Sequence, residues 1–125
     1  MRAVITRTVL WGLVAVSLLA GCSGPPAPDA AICQDVIHRL CLAPRCSAVE
    51  SALNVSEDCE ATLLSRTGCG AEDFAFTQPS REAFVSCRVP LLRKGNSPEQ
   101  HPDCADVEEV LDHCDAVVAF LKGAQ

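Results

Sequence analysis

Nine cysteines in 125 residues constrain the fold of this chain more than any other feature. Cys22 stands apart near the N-terminus. The other eight, Cys33, Cys41, Cys46, Cys59, Cys69, Cys87, Cys104 and Cys114, leave 7, 4, 12, 9, 17, 16 and 9 residues between successive members. No Cys-x-x-Cys occurs, which removes the pattern of a thioredoxin-like centre, and only Cys41 and Cys46 approach the short spacing of structural zinc ligands. In an oxidising compartment an even set of eight is expected to close as four disulfides, each contributing about 2–4 kcal/mol. The chain needs that contribution. Beyond residue 21 its aromatic residues are Phe74, Phe76, Phe84 and Phe120, with no Tyr and with Trp11 left behind. So thin a core is marginal without cross-links. Spacing leaves the connectivity open, since eight cysteines permit about a hundred pairings.

The segment before the cysteine-rich region has its own logic. Arg2 and Arg7 form a basic start, Val9 to Ala20 an apolar run, and Leu19-Ala20-Gly21-Cys22 a small-residue cleavage motif. As a helix the apolar run rises roughly 18 Å, short of a hydrocarbon core of about 30 Å, so a secretion signal fits better than a retained span. With Leu, a small residue and Gly directly before Cys, the tetrapeptide resembles the lipobox of bacterial lipoproteins. The resemblance implies cleavage before Cys22, a diacylglyceryl thioether on its sulfur and a third acyl chain such as palmitate on its amine. At about 0.8 kcal/mol per buried methylene, two or three chains make desorption negligible. Ser23 takes the place where such lipoproteins carry Asp for inner-membrane retention, which implies an outer-membrane anchor facing the periplasm or the exterior. The expected organisation is a signal over 1–21, a lipidated cysteine and Pro-rich tether over 22–28, and one domain over 29–125. Taking Cys22 for lipid also leaves the even eight for pairing.

Residues 1–21 hold two of the ten basic residues and none of the sixteen acidic ones, so the remainder carries a net charge of −8. A chain this acidic lacks the cationic face that nucleic acid requires. The lack of Tyr and Trp beyond residue 21 argues against stacking on sugar rings. The expected partners are the bilayer, through acylated Cys22, and a protein of the cell envelope.

Apolar periodicity is helical throughout, which predicts an all-α fold: a small disulfide-stapled bundle of four to five short helices. Asp29 caps a first helix with Ile32, Cys33, Val36, Ile37 and Leu40, ended by Pro44. Ser47 and Glu50 have capping-box spacing for a second, reaching about Asn54. Ser56 opens a third that stops at Gly68; Asn54-Val55-Ser56 is read as that helix start rather than as a glycosylation site. Phe74 and Phe76 are expected to plug the core from an irregular stretch. Pro79 and Ser80 open a fourth helix, and Pro90 must kink or end it. Asn96 to Pro102 reads as an exposed loop. Behind Asp103, a last helix places Cys104, Val107, Val110, Leu111, Cys114, Val117, Val118 and Leu121 on one stripe. The nine-residue intervals Cys59 to Cys69 and Cys104 to Cys114 are similar to the twin Cys-x9-Cys hairpins of mitochondrial intermembrane proteins, which implies antiparallel helices bridged at both ends.

Chemistry is sparse. No Gly-x-Ser-x-Gly, His-Glu-x-x-His or phosphate-binding glycine loop occurs, and no catalytic residue, metal ligand or cofactor site is assigned. His113 beside Asp112 reads as a solvated histidine, and His101, Asp103 and His113 match no ligand spacing. The reading is a non-catalytic binding or structural module. Its competitors are a tethered inhibitor or defence factor acting through the Gly95–Pro102 loop, and an envelope hydrolase using His113.

Overall fold

A computed structural model describes residues 25–43 and 46–123. Leu19, Ala20, Gly21 and Cys22 lie outside the described residues, as does Pro44. Among those described there are six α-helices, one 3-10 turn and no strand. The helices are α1 (Asp29–Cys41), α2 (Ser47–Leu53), α3 (Cys59–Thr67), α4 (Arg81–Cys87), α5 (Cys104–His113) and α6 (Asp115–Leu121), with the 3-10 turn over Val89–Leu92. No helix among them is long and apolar enough to cross a membrane.

α1 is the axis of the domain. Its apolar residues recur three and four apart, so Ile32, Cys33, Val36, Ile37 and Leu40 lie on one buried face. α3 packs against it antiparallel. Bridges Cys33–Cys69 and Cys41–Cys59 staple the two at opposite ends, with Cα–Cα distances of 6.0 and 5.7 Å. The hairpin expected from cysteine spacing is thus present with different partners: α3 pairs with α1, and Cys104 and Cys114 take no part. A third bridge, Cys87–Cys114, ties the end of α4 to the residue between α5 and α6. Cys46 and Cys104 stand as free thiols.

Helix ends differ from expectation in ways that local chemistry explains. Pro28, extended at φ −65° and ψ 155°, precedes α1, while Asp29 is its first residue and turns its carboxylate elsewhere. Oδ2 accepts the Phe76 N–H at 2.9 Å and Oδ1 meets Arg81 at 2.5 Å, so the carboxyl is held below its ordinary range by the amide first and the guanidinium second. The Ser47–Glu50 capping box does not form: Cys46 holds the cap position of α2, and no side chain caps it. α3 begins at Cys59 rather than Ser56, and Gly68 ends it in the left-handed region at φ 78°. Ser80 does cap α4, accepting the Ala83 N–H at 3.3 Å.

The largest correction is at the C-terminal end. The single amphipathic helix expected behind Asp103 is two, broken at Cys114, whose φ −122° and ψ 61° are not helical. Its hydrogen bonds carry on either side, Cys114 N–H to the Val110 carbonyl and Val118 N–H to the Cys114 carbonyl. Apolar periodicity cannot register one such residue. Cys104, expected on the buried stripe, is exposed, whereas Val107, Val110, Val117 and Leu121 are buried.

The four phenylalanines gather into one cluster. Phe76 lies 4.6 Å from Phe84 between ring centroids, and Phe120 meets Phe84 edge-on at 5.9 Å. Phe74 and Phe76 reach the cluster from the irregular stretch, as the sequence implies.

Candidate functional site

The most constructed surface of the domain runs from the 3-10 turn into the loop ahead of α5. Among the described residues the exposed large apolar side chains are Val89, at 53%, and Leu92, at 41%, both on that turn. Leu91 between them is fully buried and anchors the turn to the core. Three residues further on the chain folds into a tight finger. The Ser97 N–H donates to the Gln100 carbonyl at 2.9 Å and the Gln100 N–H returns to the Ser97 carbonyl at 3.2 Å, with Ser97 Oγ accepting the same N–H. Pro98 presets the first central position of this turn. Gly95 closes its base: a Cβ there would lie 2.7 Å from Gln100 Cβ and 2.8 Å from its carbonyl oxygen, so only glycine allows the approach.

The finger is pinned from two sides. On α1, Arg39 donates to the carbonyls of Leu91 and Gly95 at 3.3 and 3.4 Å while Asp35 fixes its Nε at 2.8 Å. His38 Nε2 reaches the Asn96 carbonyl at 3.2 Å. On α5, Arg93 forms a two-pronged pair with Glu109 at 2.7 and 3.0 Å, and Lys94 bridges Asp103 and Asp106 at 2.6 and 2.7 Å. Asp103 and Asp106 also form the capping box of α5, so one carboxylate pair starts the helix and holds the loop. A shallow depression of about 470 Å³ remains between the finger and its base, lined by Arg93, Lys94, Glu99, Gln100 and His101.

The electrostatics follow from these pairs. Lys94 first, and the Asp106 amide second, lower the Asp103 carboxyl from 3.8 to about 2. Glu109 is likewise lowered by Arg93, and both cations are raised by their carboxylates. The sign is fixed. A depressed carboxylate adds stability that is complete above its unfolded value and fades as pH falls toward the folded one, so this clamp holds down to about pH 4 and loosens toward pH 2. In a carboxyl-detected NMR titration Asp103 is expected to titrate near 2 in the native chain and to move up toward 3.8 in Lys94→Ala, without reaching it because the Asp106 amide stays. An unmoved midpoint would show that the ammonium is not the cause.

The histidines take separate places. His113 is exposed at the end of α5, with Glu109 one turn away as its charged neighbour. His101 Nδ1 is occupied by the Pro102 carbonyl at 2.8 Å. Among the described residues no group of three His, Cys, Asp or Glu side chains is placed to hold a metal ion. Two further concavities are mainly apolar. One of about 570 Å³ lies beside Phe74, Pro79 and Phe120, and one of about 300 Å³ is bordered by Leu40, Cys46, Val49 and Val55.

The sequence singles out the loop but not its foundations. Val89 and Leu92 look like core residues by hydropathy, and nothing local tells that Leu91 alone turns inward. Arg39 is separated from its acceptors by 52 and 56 positions. No protein-family model matches this chain, and neither does any curated protein or solved structure.

Proposed function

We propose that this chain is an extracytoplasmic lipoprotein, held to a membrane by acylated Cys22, whose domain is a non-catalytic binding module. The observation that carries the anchoring is the run Leu19-Ala20-Gly21-Cys22 behind an apolar segment and ahead of a Pro-rich tether. With Ser rather than Asp at position 23, the anchor is assigned to the outer membrane. The contact face is the exposed pair Val89 and Leu92 together with the Gly95–His101 finger; Pro102, expected in the exposed loop, is instead fully buried and anchors its end. Two facts support that choice. Exposed apolar side chains beside a polar, pre-pinned loop have the composition of a recognition surface, in which little order remains to be lost on binding. The finger also rests on His38 and Arg39, roughly 15 Å along α1 from the tether that enters at Asp29, which favours its presentation away from the lipid.

The pinned finger favours one particular mode as a second reading: a tethered inhibitor that inserts Asn96–Gln100 into the cleft of an extracytoplasmic enzyme. A simple binding module would leave its partner's turnover unchanged, whereas an inhibitor would lower it.

Radiolabelled palmitate should enter the native chain and sediment with membranes, and Cys22→Ala should take up none. Equal labelling of the two would reject the anchor. Affinity capture from native membranes then tests the face: exchanging residues 96–101 for a Gly/Ser segment should reduce recovery of the partner about tenfold or more. Unchanged recovery would move the contact surface elsewhere.

A further inference from the structure

Three bridges account for six of the eight cysteines in the domain, and the remaining two stand at the starts of neighbouring helices. Cys46 is the residue before α2 and Cys104 is the first residue of α5, and these two helices pack side by side. Both cysteines are left outside the bridges, and each stands at the start of its helix in this packed pair. The pair is asymmetric: Cys46 is 3% exposed whereas Cys104 faces solvent. We propose that Cys46 and Cys104 close as a fourth disulfide by exchange with an external disulfide, with Cys104 attacking first and Cys46 resolving. This step does not depend on lipid anchoring or on the contact face.

The chemistry balances without any group from outside except that disulfide, RSSR. Cys104, after losing its proton, attacks one sulfur and expels RS⁻, leaving a mixed Cys104–SR. Deprotonated Cys46 then attacks Cys104 Sγ, the Cys104–SR bond breaks, and a second RS⁻ departs. The two protons released by the thiols end on the two RS⁻, so the protein gives up two electrons and two protons and RSSR becomes two RSH. Exposure sets the order. A buried sulfur cannot be approached by a bulky disulfide, but it can reach a thiol on the helix packed beside it.

The surroundings of Cys104 set the rate and select the reagent. Asp103 and Glu108 flank it, and with Cys46 as first cause and burial as second its thiol is pushed up to about 11. Little thiolate is present near neutrality, so exchange is slow. Nor does a stabilised thiolate favour the reduced state, as it does in strongly oxidising dithiols. Lys94 already offsets Asp103, so Glu108 is the charge of this flank that repels anionic disulfides. Cationic cystamine should therefore oxidise the pair about tenfold faster than anionic oxidised glutathione, relative to the same ratio on a free small thiol, and the difference should shrink with added salt.

The test uses the full lipid-extracted chain in detergent, reduced at this pair if necessary, with cystamine as probe and maleimide to trap thiols. The native chain is expected to lose two hydrogens by intact mass and to give a Cys46–Cys104 cross-linked peptide under non-reducing digestion. Cys46→Ser should stop at the mixed disulfide on Cys104. Cys104→Ser should leave Cys46 unmodified by cystamine. The idea is overturned if Cys46 in Cys104→Ser is captured as fast as in the native chain, if the native chain keeps both thiols through prolonged exposure, or if either cysteine appears bridged to one of the other six. Should a serine variant disturb the fold, the cystamine-to-glutathione ratio on the native chain decides alone: no charge preference would sink the assignment of Cys104 as first attacker.

Discussion

Replacing Cys33 and Cys69 together by alanine will lower the stability of the domain by about 4 kcal/mol and its melting temperature by roughly 15–30 °C. Of the three bridges this one closes the longest segment, with a sequence separation of 36 against 27 and 18. Loop length alone separates it from Cys41–Cys59 by only about 0.6 kcal/mol, because closure entropy grows with the logarithm of length. Burial widens the gap. Cys33 and Cys69 are both fully buried, while Cys41 and Cys59 are partly open, so only the first pair leaves a void as well as a freed chain. The Cys69 turn has further partners: Gln34 Nε2 donates to its carbonyl at 2.7 Å and its own N–H donates to Thr67 Oγ1 at 3.3 Å. The first of these bonds joins α1 to the turn across 35 positions, and both lose their alignment once the covalent tie is gone. Calorimetry of the two double variants under oxidising conditions checks the ranking. An equal or greater loss for Cys41→Ala with Cys59→Ala would mean that burial does not decide it.

That ranking could not have been reached from spacing. Periodicity carried most of the helices because α1 and α3 bury one stripe each, and Gly68 and Ser80 act locally at an end. It failed where the deciding partner is distant. Asp29 looks like a cap, yet Phe76 and Arg81 claim its carboxylate across 47 and 52 positions. Ser47 and Glu50 have the spacing of a capping box, yet Cys46 occupies the position the hydroxyl would need. Cysteine pairing is the sharpest case. The two equal intervals suggested one hairpin, but Cys59 and Cys69 lie against α1, where Cys33 and Cys41 stand two turns apart. Equal spacing records helix length and says nothing about which helix is opposite. The candidate site shows the same division. The exposed loop was legible from its two prolines and lack of apolar residues, whereas its rigidity comes from α1 and α5 and its apolar neighbours were hidden in an ordinary Val-Pro-Leu-Leu run.

Phe84→Ala is expected to cost about 3–5 kcal/mol, nearly as much as losing the buried bridge, and Phe84→Leu about 1–2. The aromatic cluster explains why one ring matters so much. Phe84 is fully buried and touches both Phe76 and Phe120, whereas Phe74 and Phe76 remain partly open. α4 carries it on only seven residues, too few to hold a helix in water without tertiary contacts. Cys87–Cys114 tethers one end of α4, but a tether limits distance and does not supply packing. Removing the ring should therefore release α4 and with it the irregular stretch that carries Phe74 and Phe76, while α1 and α3 stay joined by their two bridges. Urea unfolding with disulfides intact should show a lower midpoint and a shallower slope, because the surface of α4 is already exposed before the main transition. Hydrogen exchange adds the discriminating measurement. Protection should fall first over Ala71–Cys87 in Phe84→Ala and remain over α1; uniform loss across both would mean that the domain unfolds as one unit and that the cluster has no separate role.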